Sequence, residues 1–222
     1  MISYRIEELF PRPVYIKSNV CSDFALKKGM DYILKRHAEQ QDTVEDFRTD
    51  LFEFRSSANW ETNMHEAQDM QSVADAILES AKEFTIELGF PEAAKNIYIR
   101  DMYSLLQNEG DFLHFHTHQG AFISGAFYFT APKDSRLMFK TYDDNFRLPE
   151  VWNKINSVQR TLDIDSNQII MFRSNMIHGI PRCTQDGKIL VSFNIVMDPA
   201  DVYAAGPSAA NKKIHDERNA NK

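Results

Sequence analysis

Residues 110–118 read GDFLHFHTH, and residues 121–131 read AFISGAFYFTA. Apolar and polar side chains alternate through these stretches, which predicts two strands separated by a turn. The same pattern recurs in IYIRDMYSLL (97–106), RLMFKTY (136–142), QIIMF (168–172) and KILVSFNIV (188–196). The sequence therefore predicts a run of about seven short strands that begins near residue 96.

Two helices are predicted before these strands. Ser22 and Asp23 supply an N-cap for a helix over residues 22–40, and residues 65–88 repeat apolar side chains at helical spacing until Gly89. The stretch LFPRPVYI (9–16) contains two prolines and predicts an extended edge segment. Helices followed by short strands favour a mainly β, α+β fold, in which helices cover one face of a two-sheet jelly roll, the double-stranded β-helix.

The chain length suits one domain. At 222 residues the sequence fits a single β domain with additions, so we expect one domain over residues 1–198. Within it, residues 20–95 form a helical support and residues 96–198 the jelly-roll core. We expect a polar C-terminal tail over residues 199–222. Residues 143–165 lie between two predicted strands and form either a substrate lid or a surface connection.

Charge and cysteine content restrict the partners. The formal net charge of −7 argues against a nucleic-acid partner, because proteins that bind phosphates usually carry a basic face. Cys21 and Cys183 have no metal-binding or redox spacing, which is typical of a reducing compartment. No apolar run approaches ~18 residues and the first residues do not form a signal peptide. We expect a cytoplasmic protein that does not bind membranes.

Three histidines fall on one face of a predicted strand. His114, His116 and His118 alternate with other residues, and His178 follows the strand QIIMF 62 residues after His116 (178 − 116). Imidazole is a ligand for Fe, Zn, Cu and Ni, and two such ligands on one strand can share a metal with a third from elsewhere. Spacing alone allows either His114 with His116 or His116 with His118.

The last predicted strand has one polar and one apolar face. Its first face is polar at three of four positions, as the lining of a site requires, while the second is suited to the core. The first face carries Lys188, Leu190, Ser192 and Asn194. In the strand over 121–131, Tyr128 shares a face with Ser124 and Ala126.

Three blocks of the sequence resemble a known family. They are LFPRPVYI (9–16), HTHQGAFISGAFYF (116–129, H-x-H-x5-S-G-x-x-Y) and MFRSNMIHGIPRCTQDGKILVSFNI (171–195, a distal histidine block ending in S-F-N). With them the chain resembles the 2-oxoglutarate/Fe(II)-dependent oxygenase superfamily, in its prolyl-hydroxylase-like form. It is most similar to small oxygenases of marine bacteria and their phages.

The resemblance implies a metal site. In the family pattern a histidine follows a glycine by six positions, which selects His116 after Gly110. His118 then stands where the superfamily usually has a carboxylate, and His178 is the distal ligand. The implied metal is Fe(II), although three histidines and an open position also suit catalytic zinc.

The resemblance also implies a cosubstrate site. Lys188, ten positions after His178, takes the place of the basic residue that pairs with the far carboxylate of 2-oxoglutarate, with Arg182 as a nearby alternative. Tyr128 matches a phenol that donates to the same carboxylate, and Asn194 matches a position near the metal-bound end of 2-oxoglutarate or the substrate. The implied reaction hydroxylates a protein side chain or a small molecule and releases succinate and CO2.

Two other functions are compatible with the pattern. The first is a cupin-like metal protein with three histidines that does not use 2-oxoglutarate, such as a zinc hydrolase. The second is a non-catalytic β-sandwich that serves as an interaction module. A purified protein that binds no metal tightly would identify the second, whereas activity that survives Lys188→Ala would identify the first.

Overall fold

The computed structural model describes residues 12–40, 54–55, 57–59, 62–141 and 157–197. Several expectations concern residues outside these ranges. They are the start of LFPRPVYI, most of the segment over 143–165 that was considered as a lid, and the tail over 199–222. The division into a single domain over residues 1–198 stays a prediction.

In the described residues, two α-helices precede most of the strands. Helix α1 spans Asp23–Gln40, as the N-cap at Ser22 predicts, and α2 spans Gln71–Glu87. The second helix begins later than residue 65, because Met64–Glu66 form a short 3-10 helix and Ala67 is extended. After α2 the chain turns through Gly89, whose φ of 89° lies in the left-handed region, and a second 3-10 helix forms at Ala93–Lys95.

Eleven strands are present in the described residues. They are β1 (Val14–Ser18), β2 (Phe54–Arg55), β3 (Ser57–Asn59), β4 (Tyr98–Gln107), β5 (Phe112–His116), β6 (Ile123–Thr130), β7 (Arg136–Lys140), β8 (Gln159–Asp163), β9 (Gln168–Arg173), β10 (Ile177–Ile180) and β11 (Lys188–Val196). The order β1-β9-β6-β11-β4-β3 forms a six-stranded sheet, and β2-β5-β10-β7-β8 forms a five-stranded sheet. The pairings between these strands are antiparallel, and β1 is an edge strand, as the stretch LFPRPVYI predicts.

The six-stranded sheet buries both faces. Its outer face packs against the helices, where Phe127 and Phe193 share a core with Ile77 of α2. Its inner face meets the five-stranded sheet, where Leu190 and Tyr128 share a core with Leu137. Because side chains alternate along a strand, β11 supplies both layers, and this division agrees with its sequence pattern.

The two antiparallel sheets and their helical cover form the double-stranded β-helix expected from the sequence. The candidate functional side chains face the space between the sheets, and no helix residue in the described part of the chain belongs to the core there. No helix in the described ranges has the length and apolar character needed to cross a membrane.

Candidate metal centre

Three imidazoles meet at one end of the space between the sheets. His116 ends β5, His118 follows two residues later, and His178 lies in β10 directly opposite His116 in the strand pairing. The ring centroids lie 4.2 Å apart for His116 and His178, 5.1 Å for His116 and His118, and 5.0 Å for His118 and His178. One nitrogen from each ring lies within 4.8 Å of the other two.

His178 occupies a strand that the sequence pattern did not predict. Strand β10 has only four residues and follows a turn-like sequence, so no alternation is visible in it. The strand can approach β5 closely because of Gly179, where a Cβ atom would lie 2.7 Å from the carbonyl oxygen of Leu113. This close pairing brings His178 beside His116.

His114 lies outside the cluster. Its side chain is exposed and its ring packs edge-on against Phe112 at 5.1 Å. Its carbonyl oxygen contributes to the site, because it accepts a hydrogen bond of 2.9 Å from Nδ1 of His116. Of the two spacings that the sequence allows, the structure therefore brings together the pair His116 and His118.

Each of the three imidazoles is held through Nδ1. His116 donates to the carbonyl oxygen of His114, His178 donates to that of Met176 at 3.0 Å, and His118 donates to Oδ1 of Asn194 at 2.7 Å. A neutral imidazole that donates from Nδ1 has its lone pair on Nε2. Histidine ligands in metal sites are oriented by hydrogen bonds of this kind.

Burial keeps two of these rings neutral. Desolvation, followed by the nearby His116, lowers the pKa of His178 to about 3, and desolvation also lowers the pKa of His118. Nε2 of His116 lies only 3.1 Å from Nε2 of His118. Two lone pairs at this distance repel each other unless a cation lies between them, so the donor set fits a divalent metal ion.

Buried polar groups with few or no hydrogen-bond partners also lie between the sheets. Lys188 is 2% exposed, and among the described residues its ammonium group finds only Sγ of Cys183, at 3.9 Å. The hydroxyl of Tyr128 and the amide of Gln107 are buried without a hydrogen-bond partner in the described part of the chain. Burial is the main cause that lowers the pKa of Lys188 and raises the pKa of Tyr128.

Strand pairing explains how these groups come together. Lys188 is opposite Gln107 in the pairing of β11 with β4, so the two side chains lie on the same inner face. Tyr128 projects to that face from β6, and a cavity between the sheets touches Tyr128, His116 and His178. A buried cation and two unpaired polar groups are costly without an anion, so this region fits a carboxylate.

Arg182 has a different environment from Lys188. Its side chain is exposed, donates to the carbonyl oxygen of Gly110 at 3.1 Å and stacks over Phe112 at 4.5 Å. Of the two basic residues considered from the sequence, Lys188 is therefore the one that reaches the space between the sheets. Its role in cosubstrate binding stays a prediction.

Asn194 also lies beside the three histidines, and both polar atoms of its amide form hydrogen bonds. Besides His118, its Oδ1 accepts from Oγ of Ser124 at 2.6 Å, and its Nδ2 donates to Oδ1 of Asp101. A direct contact of Asn194 with 2-oxoglutarate or substrate stays a prediction. Asp101 and Gln107 were not predicted as site residues. They lie on one face of β4 because side chains alternate along a strand, but local patterns do not show that β4 pairs with β11.

Comparison with known proteins agrees with this geometry. Residues 101–194 match the model of the protein family described as "Putative 2OG-Fe(II) oxygenase". The matched range begins at Asp101 and ends at Asn194, and it contains the three histidines and Lys188. No curated protein sequence matches the chain.

Solved structures show the same fold at low sequence identity. A prolyl-4-hydroxylase from Pseudomonas putida is 11% identical with a TM-score of 0.57, and the match covers 83% of this chain and 93% of that one. HygX from Streptomyces hygroscopicus, with nickel, 2-oxoglutarate and hygromycin B bound, is 13% identical with a TM-score of 0.55, and 83% of each chain is covered. The viral collagen prolyl hydroxylase of Paramecium Bursaria Chlorella virus-1, in complex with 2-oxoglutarate, is 11% identical with a TM-score of 0.52 over 82% of this chain and 94% of that one.

The expectations of fold, enzyme class and cofactors are therefore confirmed. The matched family depends on Fe(II) and 2-oxoglutarate, which are the expected cofactors. Its members are described as oxygenases, which is the expected enzyme class. Over residues 101–194, this chain is similar to the 2-oxoglutarate- and Fe(II)-dependent oxygenases.

Proposed function

We propose that the enzyme hydroxylates a protein side chain or a small molecule, with His116, His118 and His178 as the metal ligands. Lys188 and Tyr128 hold the far carboxylate of 2-oxoglutarate. Gln107 joins them, because its amide lies beside Lys188 and has no partner among the described residues. The iron, when bound, supplies the redox chemistry, and the protein supplies geometry and a shielded cavity.

One observation carries this proposal. A single cavity between the sheets meets three converging imidazoles and Tyr128, beside the buried and nearly unpaired Lys188. A dianion with a metal-binding end and a distant carboxylate matches these two regions. The apolar side chains of Leu105 and Leu190 line the cavity and suit the methylene groups between the two ends.

The fold and the net charge of the chain are the observations from which the substrate class is proposed. One structural neighbour is a prolyl-4-hydroxylase and another was solved with the small molecule hygromycin B, so the fold accommodates both classes. The net charge of −7 disfavours nucleic acid. We also propose a cytoplasmic location, in the host cytoplasm if the chain is viral, because Cys21 and Cys183 are free thiols. An origin in marine bacteria or their phages rests on the sequence resemblance alone.

The third histidine favours one alternative. A site with His118 in place of a carboxylate also fits zinc or a metal protein that does not use 2-oxoglutarate. Such a protein would have no use for a buried Lys188 and would tolerate its replacement. The oxygenase therefore binds 2-oxoglutarate between the metal and Lys188, whereas the alternative metal protein does not.

Anaerobic titration with Fe(II), with and without 2-oxoglutarate, tests the proposal. We expect a visible metal-to-ligand charge-transfer band only when both are present. His178→Ala removes the band, and Lys188→Ala raises the 2-oxoglutarate concentration needed by about tenfold or more, as expected for loss of a charge-assisted hydrogen bond. Arg182→Ala is the matched control and leaves the titration unchanged. Fe(II) binding without a band would favour the alternative instead.

A further inference from the structure

A chain of hydrogen bonds leads from His118 to a carboxylate. His118 Nδ1 lies 2.7 Å from Oδ1 of Asn194, and Nδ2 of Asn194 donates to Oδ1 of Asp101. The other oxygen of Asp101 accepts from Nε of Arg100 at 2.6 Å. His118 stands where the family pattern usually has a carboxylate. The hydrogen bonds from His118 end at the carboxylate of Asp101, which only the Asn194 side chain separates from the His118 ring.

The sheet fixes the members of this chain. Asn194 in β11 lies directly opposite Asp101 in β4 and Ser124 in β6, so three adjacent strands hold one amide. Asn194 is 5% exposed, and the pairing is irregular just after it, between Asn194 and Ile195. His118 lies two residues after the end of β5, which belongs to the opposite sheet. The chain of bonds therefore crosses from one sheet to the other at the metal end.

The direction of the Asn194 amide decides which tautomer His118 adopts. With Oδ1 toward the ring, Nδ1 carries the proton and Nε2 has a free lone pair for a metal. With the amide reversed, its NH2 group would face Nδ1, and the proton would move to Nε2 and block the ligand atom. The hydroxyl of Ser124 can donate or accept, so it tolerates both directions.

Asp101 removes this ambiguity. An ionised carboxylate accepts hydrogen bonds and cannot donate them, so it attracts Nδ2 of Asn194 and rejects Oδ1. Arg100 holds the carboxylate in place from the outer side. Because Asp101 only accepts, it orients the Asn194 amide with Oδ1 toward His118, and this orientation favours a proton on Nδ1 of His118.

We propose that Asp101 is a positioning residue that sets the tautomer of His118 through Asn194, and so allows an imidazole to replace the usual carboxylate ligand. The inference rests on the proposed role of the three histidines as metal ligands. It assigns Asn194 to the support of His118. It also accounts for the pairing of an aspartate with an asparagine across β4 and β11.

Co(II) titration of the apo protein tests the inference without turnover. Asp101→Ala weakens Co(II) binding by about 10–100-fold, the usual effect of losing a group that orients a ligand. The exchange Asp101→Asn with Asn194→Asp places an acceptor-only group next to His118 and preserves the charge, so its affinity stays within about threefold of the original. Asp163→Ala, which removes an exposed carboxylate next to Arg136, is the matched control and binds Co(II) normally.

Nitrogen-15 NMR of the histidine rings gives a second readout. In the metal-free protein we expect His118 to be protonated at Nδ1, and in Asp101→Ala to shift toward the Nε2-protonated form. Original affinity and unchanged Nδ1 protonation in Asp101→Ala would overturn the inference. If Asp101→Ala does not fold, the exchanged pair decides, because affinity more than about tenfold below the original would overturn it as well.

Failure of the underlying site is recognised separately. If the original protein does not bind Co(II), or if His178→Ala binds it equally well, the proposed ligand set is wrong whatever Asp101 does. If the original protein binds Co(II) and His178→Ala does not, the Asp101 variants test the inference alone.

Discussion

Tyr128 buries a hydroxyl that meets no hydrogen-bond partner among the described residues, although its ring is fully enclosed. An unsatisfied buried polar group lowers stability by about 1–3 kcal/mol. A phenylalanine would pack its ring in the same space without this penalty. The hydroxyl therefore makes physical sense if it gains a partner when 2-oxoglutarate binds.

Replacement of Tyr128 by phenylalanine should affect stability and binding in opposite directions. Without ligand, we expect Tyr128→Phe to unfold at the same or higher denaturant concentration, with a gain of up to about 1 kcal/mol. Its affinity for 2-oxoglutarate should fall by about tenfold or more, because it loses a hydrogen bond to a charged group. Urea unfolding and the anaerobic Fe(II) titration measure the two effects.

Tyr103 offers a matched control for this change. It lies on the same inner side of the six-stranded sheet and bonds to Ser192, so Tyr103→Phe loses a hydrogen bond already present without ligand. We expect that variant to lose stability. If Tyr128→Phe loses as much stability and keeps its affinity for 2-oxoglutarate, then Tyr128 is a structural residue only.

At the scale of elements, periodicity predicted the longer strands in which apolar and polar side chains alternate clearly. Strand β11 was predicted at its observed bounds, and its two faces divide between core and cavity as the alternation indicates. Strands β8 and β10 were missed, because one lies in a polar stretch and the other has four residues. A short strand next to a turn leaves no pattern in the sequence.

The candidate site was predictable to a similar degree. Histidine spacing with family resemblance identified the three converging imidazoles. The partners on β4 could not be found, because pairing between distant strands depends on tertiary packing that local patterns do not record. His37 shows the same limit, since the structure buries it against Ser104, and local patterns do not record this contact between α1 and β4.

The close contact of β10 with β5 gives a test at this scale. In Gly179→Ala the new Cβ would lie 2.7 Å from the Leu113 carbonyl oxygen, so the two strands must separate. We expect a loss of about 1–3 kcal/mol in stability from this overpacking. Co(II) affinity should fall by about tenfold or more, because His178 moves away from His116.

Gly89→Ala serves as the comparison for this variant. Gly89 has a φ of 89°, and in the described part of the chain a Cβ atom there would meet nothing within 4 Å beyond its chain neighbours. Alanine at this position therefore brings backbone strain of about 1–2 kcal/mol without contact near the histidines. We expect it to lose stability and to keep its Co(II) affinity. Equal affinities for both variants would show that the approach of β10 to β5 does not set the metal site.

At the scale of the whole molecule, the ligands connect parts that sequence keeps far apart. The proposed metal ligands come from β5, the residues after it, and β10, all on the side of the five-stranded sheet. The proposed cosubstrate residues come from β4, β6 and β11 in the six-stranded sheet. A molecule that binds both sets joins the two sheets, so its binding should stabilise the fold as a whole.

Thermal unfolding with Ni(II), which stands in for iron without oxygen chemistry, measures this coupling. At 100 times its dissociation constant, a ligand adds about 2.7 kcal/mol, which corresponds to roughly 5–10 °C for a chain of this size. 2-Oxoglutarate should raise the midpoint further, because Lys188 and Tyr128 then gain a partner. His178→Ala should abolish the Ni(II) shift, whereas Lys188→Ala should keep the Ni(II) shift and lose most of the second one. A second shift of equal size in Lys188→Ala would mean that 2-oxoglutarate does not connect the two sheets through this lysine.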